Sequence, residues 1–155
     1  MQVMDITYLG HSAFKIKGKH IVIITDPYSE KMVGLKFPRH LTGDIVTVSH
    51  DHDDHNFIAN VEGKPFVVNG PGEYEIKDTA IMGLSTFHDG QKGSTRGKNT
   101  MYRIELDGLV ILHGGDLGHT LSDHDLDELG NVDILLVPVG GTYTCLLYTS
   151  PSPRD

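Results

Sequence analysis

The run Ser49-His50-Asp51-His52-Asp53-Asp54-His55-Asn56 sets four metal-binding side chains in the pattern His-x-His-x-Asp-His directly behind the apolar stretch Ile45–Val48. Residues two apart at the end of an extended strand point the same way, so His50 and His52 can share one ion. Asp54 and His55 fall where the chain turns away and face a neighbouring point. A nitrogen-rich position beside a mixed carboxylate and imidazole position suits Zn²⁺, with Mn²⁺ or Fe²⁺ as alternatives. Two ions about 3.5–4 Å apart would hold a hydroxide near neutral pH, ready to attack a carbonyl or phosphoryl centre. A solvated acidic loop whose histidines cap backbone groups is the competing reading. It explains a lone histidine better than four ligand-type residues in one octet.

Outward from this cluster, alternation and β-branched residues predict strands over 4–9, 13–17 and 21–25, an antiparallel meander with short Gly- and His-containing turns. Asp26-Pro27 ends the third strand, and an irregular stretch leads to Ile45–Val48. A helical turn near 56–60 follows, then strands over 66–68 and 80–86 with the turn-rich Asn69-Gly70-Pro71-Gly72 between them. Residues 90–99 read as a loop, in which Lys92, Arg96 and Lys98 are solvated cations first and anion contacts second. Residues 101–106 and 109–113 form a hairpin across Asp107-Gly108. Ser122 caps a helix that runs to Leu129 and stops at Gly130, and 134–137 is a last buried strand. No repeat and no second composition regime appears, so the class is one strand-dominated α+β domain. His88 closes a strand, with ligand and surface readings about even; Asp116 follows a buried strand and two glycines, where an acid can approach a metal closely, its alternative being a turn residue. His20, His40 and His124 lie in polar stretches and read as surface groups.

Thirteen Lys and Arg stand against 21 Asp and Glu, a net charge of −8 with no basic block, which repels phosphate backbones. Nucleic acid and anionic membrane are therefore not the expected partners; a small-molecule substrate is. Apolar runs such as Ile21-Val22-Ile23-Ile24 are far shorter than the ~20 residues of a spanning helix, and no basic segment precedes an apolar one at the start. A cytoplasmic protein is expected. The single cysteine, Cys145, excludes a disulfide framework, and 18 glycines favour many strands and tight turns. Ten histidines are the outlier, and metal chemistry is what accounts for them.

His50-x-His52-x-Asp54-His55, followed by His88 and then Gly115-Asp116, resembles the metallo-β-lactamase superfamily. Tyr8-Leu9-Gly10-His11-Ser12, His113-Gly114-Gly115-Asp116-Leu117-Gly118 and Pro138-Val139-Gly140-Gly141-Thr142-Tyr143-Thr144 are similar to the branch with ascorbate-6-phosphate lactonase-type proteins and Zn-dependent hydrolases. The resemblance spans residues 4–144 and implies an αβ/βα sandwich. It implies one zinc on His50, His52 and His88, a second on Asp54 and His55, and Asp116 bridging them. Asp26 would steady the ligand loop through hydrogen bonds, its alternative being a turn acid before proline. His11 would line the pocket, and Asp54 and His11 are the candidate catalytic groups. His113 adjoins the ligand strand without being a ligand.

From Cys145 the chain loses every strand or helix period and resembles a translated sequencing adapter. The expected division is residues 1–144 as a truncated domain and 145–155 as a non-native tail. Leaving out Arg154 and Asp155 gives 12 basic and 20 acidic residues, 12 − 20 = −8 again. The family's last metal ligand, a histidine beyond a further helix and strand, has no counterpart before Thr144. The sandwich is therefore expected to be incomplete at its C-terminus, with the fragment poorly stable and weakly active or inactive. The intact parent is expected to carry two zinc ions and to use a metal-bound hydroxide on a small ester, lactone or related substrate. Alternatives are a phosphodiesterase of the same fold, which the charge disfavours, and a metal-binding module without turnover. No G-x-S-x-G elbow is present to suggest a covalent hydrolase.

Overall fold

A computed structural model describes residues 4–137; the Pro138 to Thr144 motif and residues 145–155 lie outside the described residues. Two five-stranded sheets pack face to face. The first is built in chain order from β1 (Asp5–Gly10), β2 (Ala13–Lys17), β3 (Val22–Thr25), β4 (Ile45–Val48) and β5 (Phe66–Asn69). Its first three strands form the expected meander, and β3, β4 and β5 are parallel. The second sheet contains β6 (Gly72–Ile76), β7 (Thr79–Phe87), β8 (Lys98–Leu106), β9 (Leu109–His113) and β10 (Ile134–Leu136). Its order is β10-β9-β8-β7-β6, antiparallel except where β10 runs parallel to β9. The sandwich of mixed sheets is the expected α+β class.

Branched side chains from both inner faces, among them Ile16, Ile23, Ile45, Ile81, Ile104 and Ile111, meet with Tyr102 in the central core. Each isoleucine taken from water contributes about 1.5–3 kcal/mol. The outer face of the first sheet, Ile24, Val46 and Val48, is covered by Tyr28, Phe37, Leu41 and Val61 from the long connections flanking β4. The outer face of the second, Leu84, Met101 and Leu112, is covered by Leu129 of α2 (Asp123–Leu129). Ser122 caps α2 with a reciprocal Ser122–Asp125 capping box, and Gly130 ends it. The hairpin turn Asp107-Gly108 has both residues at positive φ, 52° and 82°, as a two-residue turn between twisted strands requires.

Two elements differ from the sequence expectation. The segment after Asn69-Gly70-Pro71 is a strand, β6, which reverses onto β7 through Lys77-Asp78, both at positive φ, 50° and 60°; at the sheet edge its residues stay half-exposed or exposed. A one-turn helix, α1 (Glu30–Val33), interrupts the stretch taken as irregular, ended by Gly34 in the left-handed region. No helix among the described residues is long and apolar enough to cross a membrane.

Candidate metal centre

Strand direction collects the candidate residues at one rim of the sandwich. Parallel β3 and β4 end side by side, with Asp26 N donating to Thr47 O at 2.9 Å, so Asp26 and Ser49-His50 leave the sheet together. From the opposite sheet, β7 ends at Phe87 and delivers His88, while β9 ends at His113 and delivers Gly114-Gly115-Asp116. The β1–β2 turn brings His11. Two hydrogen bonds join the sheets beside the rim: Thr100 N to Ser49 O at 2.7 Å and Tyr102 Oη to Val48 O at 2.7 Å.

After His50 the chain coils tightly. His55 N and Asn56 N both donate to His52 O, at 2.8 and 3.0 Å, so the His-x-His pair stays on the strand end while Asp54 and His55 swing to the side. Three groups of ligand atoms result, each with its atoms within 4.8 Å of one another: His50, His52 and His88; His11, Asp54 and His55; and His50, His55 and Asp116. The third group links the other two. Asp116 Oδ2 is 2.9 Å from His88 Nε2, 3.1 Å from His55 Nε2 and 3.8 Å from His50 Nε2.

Asp26 is fully buried and organises the floor. It accepts from Ser49 N at 2.8 Å, Ser49 Oγ at 2.6 Å, Ser12 Oγ at 3.3 Å and His55 Nδ1 at 2.8 Å. Since the Ser49 proton goes to Asp26, Ser49 Oγ is left as acceptor for His50 Nδ1–H at 2.9 Å. His50 Nε2 is then a bare lone pair, buried with no hydrogen-bond partner. An orphaned imidazole nitrogen facing a carboxylate and other imidazoles is a vacancy of the kind a cation fills, and the donors suit Zn²⁺ or a similar divalent ion. The far nitrogens of His50 and His55 are held, as metal-binding histidines require, by Ser49 and by Asp26, while His88 Nδ1 is buried without a hydrogen-bond partner.

Electrostatics run the same way. Burial, and then the charge of His55, push the His50 imidazole down to about 4, so it is neutral and ready to bind. Burial would likewise lower His55, but Asp26 and Asp116 overcome it and raise His55 to about 10. Burial opposes ionisation of Asp116, yet hydrogen bonds from His55 and His88 hold its carboxyl well below the usual range. A hydrogen bond from His11 leads the effects that bring Asp54 down to about 2. Without metal, the rim thus holds ionised carboxylates around a protonated His55.

Several supporting residues carry no sequence signal. Asn99 donates to Gly114 O at 3.0 Å and accepts from Asp116 N at 3.0 Å, setting the Asp116 loop. Gly115, at φ 56°, lies so close that a Cβ would stand 2.5 Å from both Asn99 Oδ1 and Ser49 Cβ. His113 Nε2 donates to Ser12 O at 2.9 Å and takes no place among the ligand groups. His40 pairs with Glu62 at the surface.

A protein-family model described as Beta-lactamase superfamily domain matches residues 5–149. A UPF0173 metal-dependent hydrolase of Carboxydothermus hydrogenoformans is 30% identical over 169 residues, covering 91% of this chain and 74% of its own. A second, from Thermococcus onnurineus, is 28% identical over 167 residues, covering 92% of this chain and 75% of its own. Among solved structures, a candidate Zn-dependent hydrolase of the metallo-β-lactamase superfamily from Thermotoga maritima superposes with TM-score 0.75 at 39% identity. That match covers 92% of this chain, which spans 64% of the length of the Thermotoga chain. A candidate metal-dependent hydrolase from Parabacteroides distasonis, 22% identical with TM-score 0.70 over 94% of this chain and 74% of its own, shares the fold.

Proposed function

The chain belongs to the metallo-β-lactamase superfamily, within the UPF0173 metal-dependent hydrolase family, and from that premise we propose that the whole protein hydrolyses a small ester, lactone or related substrate with two divalent ions. The observation that carries the proposal is the linked ligand set: His50, His55 and Asp116 join the group of His50, His52 and His88 to the group of His11, Asp54 and His55. His50, His52 and His88 would hold one ion, Asp54 and His55 the other, and Asp116 would face both. When bound, the ions supply Lewis acidity for the carbonyl oxygen and a nucleophile at neutral pH.

The chain's own residues prepare that chemistry. Ser49 and Asp26 fix the tautomers of His50 and His55, so that both Nε2 atoms face the centre. Asp116 is held by Asn99 and by the close fit of Gly115 against Ser49. The side chain of Asp54 is 33% exposed, against 11% for Asp116 and 0% for Asp26, so it is the carboxylate placed to meet an entering substrate. The net charge of −8 favours a small molecule over a nucleic acid. The test is a panel of lactones and aryl esters set against bis-p-nitrophenyl phosphate, before chelation, after it and after zinc is restored. Metal-dependent turnover of an ester or lactone is expected. Turnover of the phosphodiester alone, or none with metal bound, would sink the reading.

A further inference from the structure

The β1–β2 turn supplies none of the residues just assigned to an ion, yet it points a histidine at two of them. His11 Nε2 lies 3.0 Å from His55 Nε2 and 3.2 Å from Asp54 Oδ2, and His55 Nε2 lies 3.6 Å from Asp54 Oδ2. A tetrahedral ion bound at 2.0–2.2 Å holds its ligands about 3.3–3.6 Å apart, so the 3.6 Å separation is already that of a coordination tetrahedron and the two shorter ones need only a small opening to complete one of its faces. The Nδ1 proton of His55 belongs to Asp26 at 2.8 Å, so His55 Nε2 is the nitrogen that meets His11, Asp54 and, at 3.1 Å, Asp116. Two imidazole nitrogens and one carboxylate oxygen therefore converge on a small volume, and Asp116 meets it through His55. One proton can bridge such acceptors only pairwise, whereas one cation satisfies all of them.

The turn is built to keep His11 there. Gly10, at φ 114°, lies so close to Tyr28 that a Cβ would stand 2.7 Å from its hydroxyl, and His11 itself sits in the left-handed region at φ 52°. Tyr8 Oη donates to His11 O at 3.0 Å. On the far side, Ser12 O accepts from His113 Nε2 at 2.9 Å and Ser12 Oγ donates to Asp26 Oδ2 at 3.3 Å. The same Asp26 that orients His55 thus anchors the turn that presents His11.

We propose that His11 is a direct protein ligand of the ion held by Asp54 and His55, so that His11, Asp54, His55 and Asp116 form its donor set. The proposal rests on the two-ion reading above. It also removes His11 from the groups able to carry a proton to the leaving atom, because its Nε2 lone pair is engaged.

The test uses the full chain, stripped of metal and titrated with Zn²⁺ against a competing chelator, then with Co²⁺ by absorption. The wild type should take up two ions. His11→Ala should raise the dissociation constant of the second ion on the order of 100-fold, at least the upper end of the loss caused by removing a mere supporting partner, and leave the first unchanged. His11→Cys should keep the second Co²⁺ and add a thiolate-to-cobalt charge-transfer band. The wild type, with its own Cys145, serves as the control for that band. If His11→Ala binds both ions with unchanged affinity, or folded His11→Cys lacks the band, the proposal is overturned while the two-ion reading stands. A wild type that takes up fewer than two ions overturns both.

Discussion

Asp26 Oδ2 lies 2.8 Å from His55 Nδ1, and neither side chain has exposed surface. Asp26 also accepts from Ser12 of the β1–β2 turn and from Ser49 at the strand end, tying both to His55. Removing one member of a buried charged pair strands the other and costs about 3–5 kcal/mol. Asp26→Ala should therefore lower the unfolding free energy of the metal-free chain by about that amount, and Asp26→Asn by less, since its amide oxygen still accepts from Ser49 N. Urea unfolding of both variants in the presence of chelator checks this. A loss under about 1 kcal/mol for Asp26→Ala would mean that water replaces the carboxylate.

The stability of the metal-free chain should peak near pH 6.5. His55 is raised to about 10, so its contribution is complete below the ordinary imidazole value of 6.5 and is lost as pH rises toward about 10. The hydrogen bond to Asp116 raises His88 too, which adds to the same limb. His50, lowered to about 4 by burial, acts in the opposite sense, its contribution fading as pH falls from 6.5 toward about 4. An ion bound as proposed would take the place of the His55 proton, so metal-loaded protein should lack the high-pH limb. Melting temperatures with and without chelator between pH 6 and pH 9.5, read against the unperturbed imidazole value of about 6.5, would show the divergence; parallel curves would refute it.

Gly115→Ala should damage the centre without touching a ligand. A Cβ there would stand 2.5 Å from Ser49 Cβ and Asn99 Oδ1, and the backbone is at φ 56°. Both neighbours are buried, and Asn99 is committed to Gly114 O and Asp116 N, so the loop carrying Asp116 must move. Strain of this kind costs about 1–3 kcal/mol. Chelator competition should show weaker binding of both ions, because Asp116 faces both groups. Unchanged affinity with reduced stability would place the strain elsewhere.

Much of this rim was readable because its signals are local. The Ser49–Asn56 octet, the Asp107-Gly108 turn and the Ser122 cap each depend on residues a few positions apart, and the structure has the hairpin and the capped helix where spacing put them. Edge strand β6 was not readable, since its residues are half-exposed or exposed and Gly70, Pro71 and Gly72 read as turn. The support of the centre was hidden for a different reason. Ser49, Asn99 and His113 act through partners as far away as 101 residues in sequence, and a lone polar side chain in a loop or strand gives no period to detect. The contact of His11 with Asp54 and His55 likewise spans 43 and 44 residues.

Tyr102 separates fold stability from metal binding. Its ring lies in the central core, and its hydroxyl donates to Val48 O at 2.7 Å and accepts from Gly70 N at 2.8 Å, joining β8 to the other sheet. Burial drives the phenol upward from its ordinary value, so it remains a donor at any working pH. Tyr102→Phe keeps the ring and deletes the oxygen, leaving the half-buried Gly70 N–H and the buried Val48 carbonyl short of a partner, which costs about 1–3 kcal/mol. None of the ligand groups includes or contacts this hydroxyl, so the variant should melt earlier yet take up as many ions as the wild type. Calorimetry beside metal analysis distinguishes the cases. If Tyr102→Phe loses an ion along with stability, the bond to Val48, one residue before Ser49 and two before His50, is part of what holds the first ion in place.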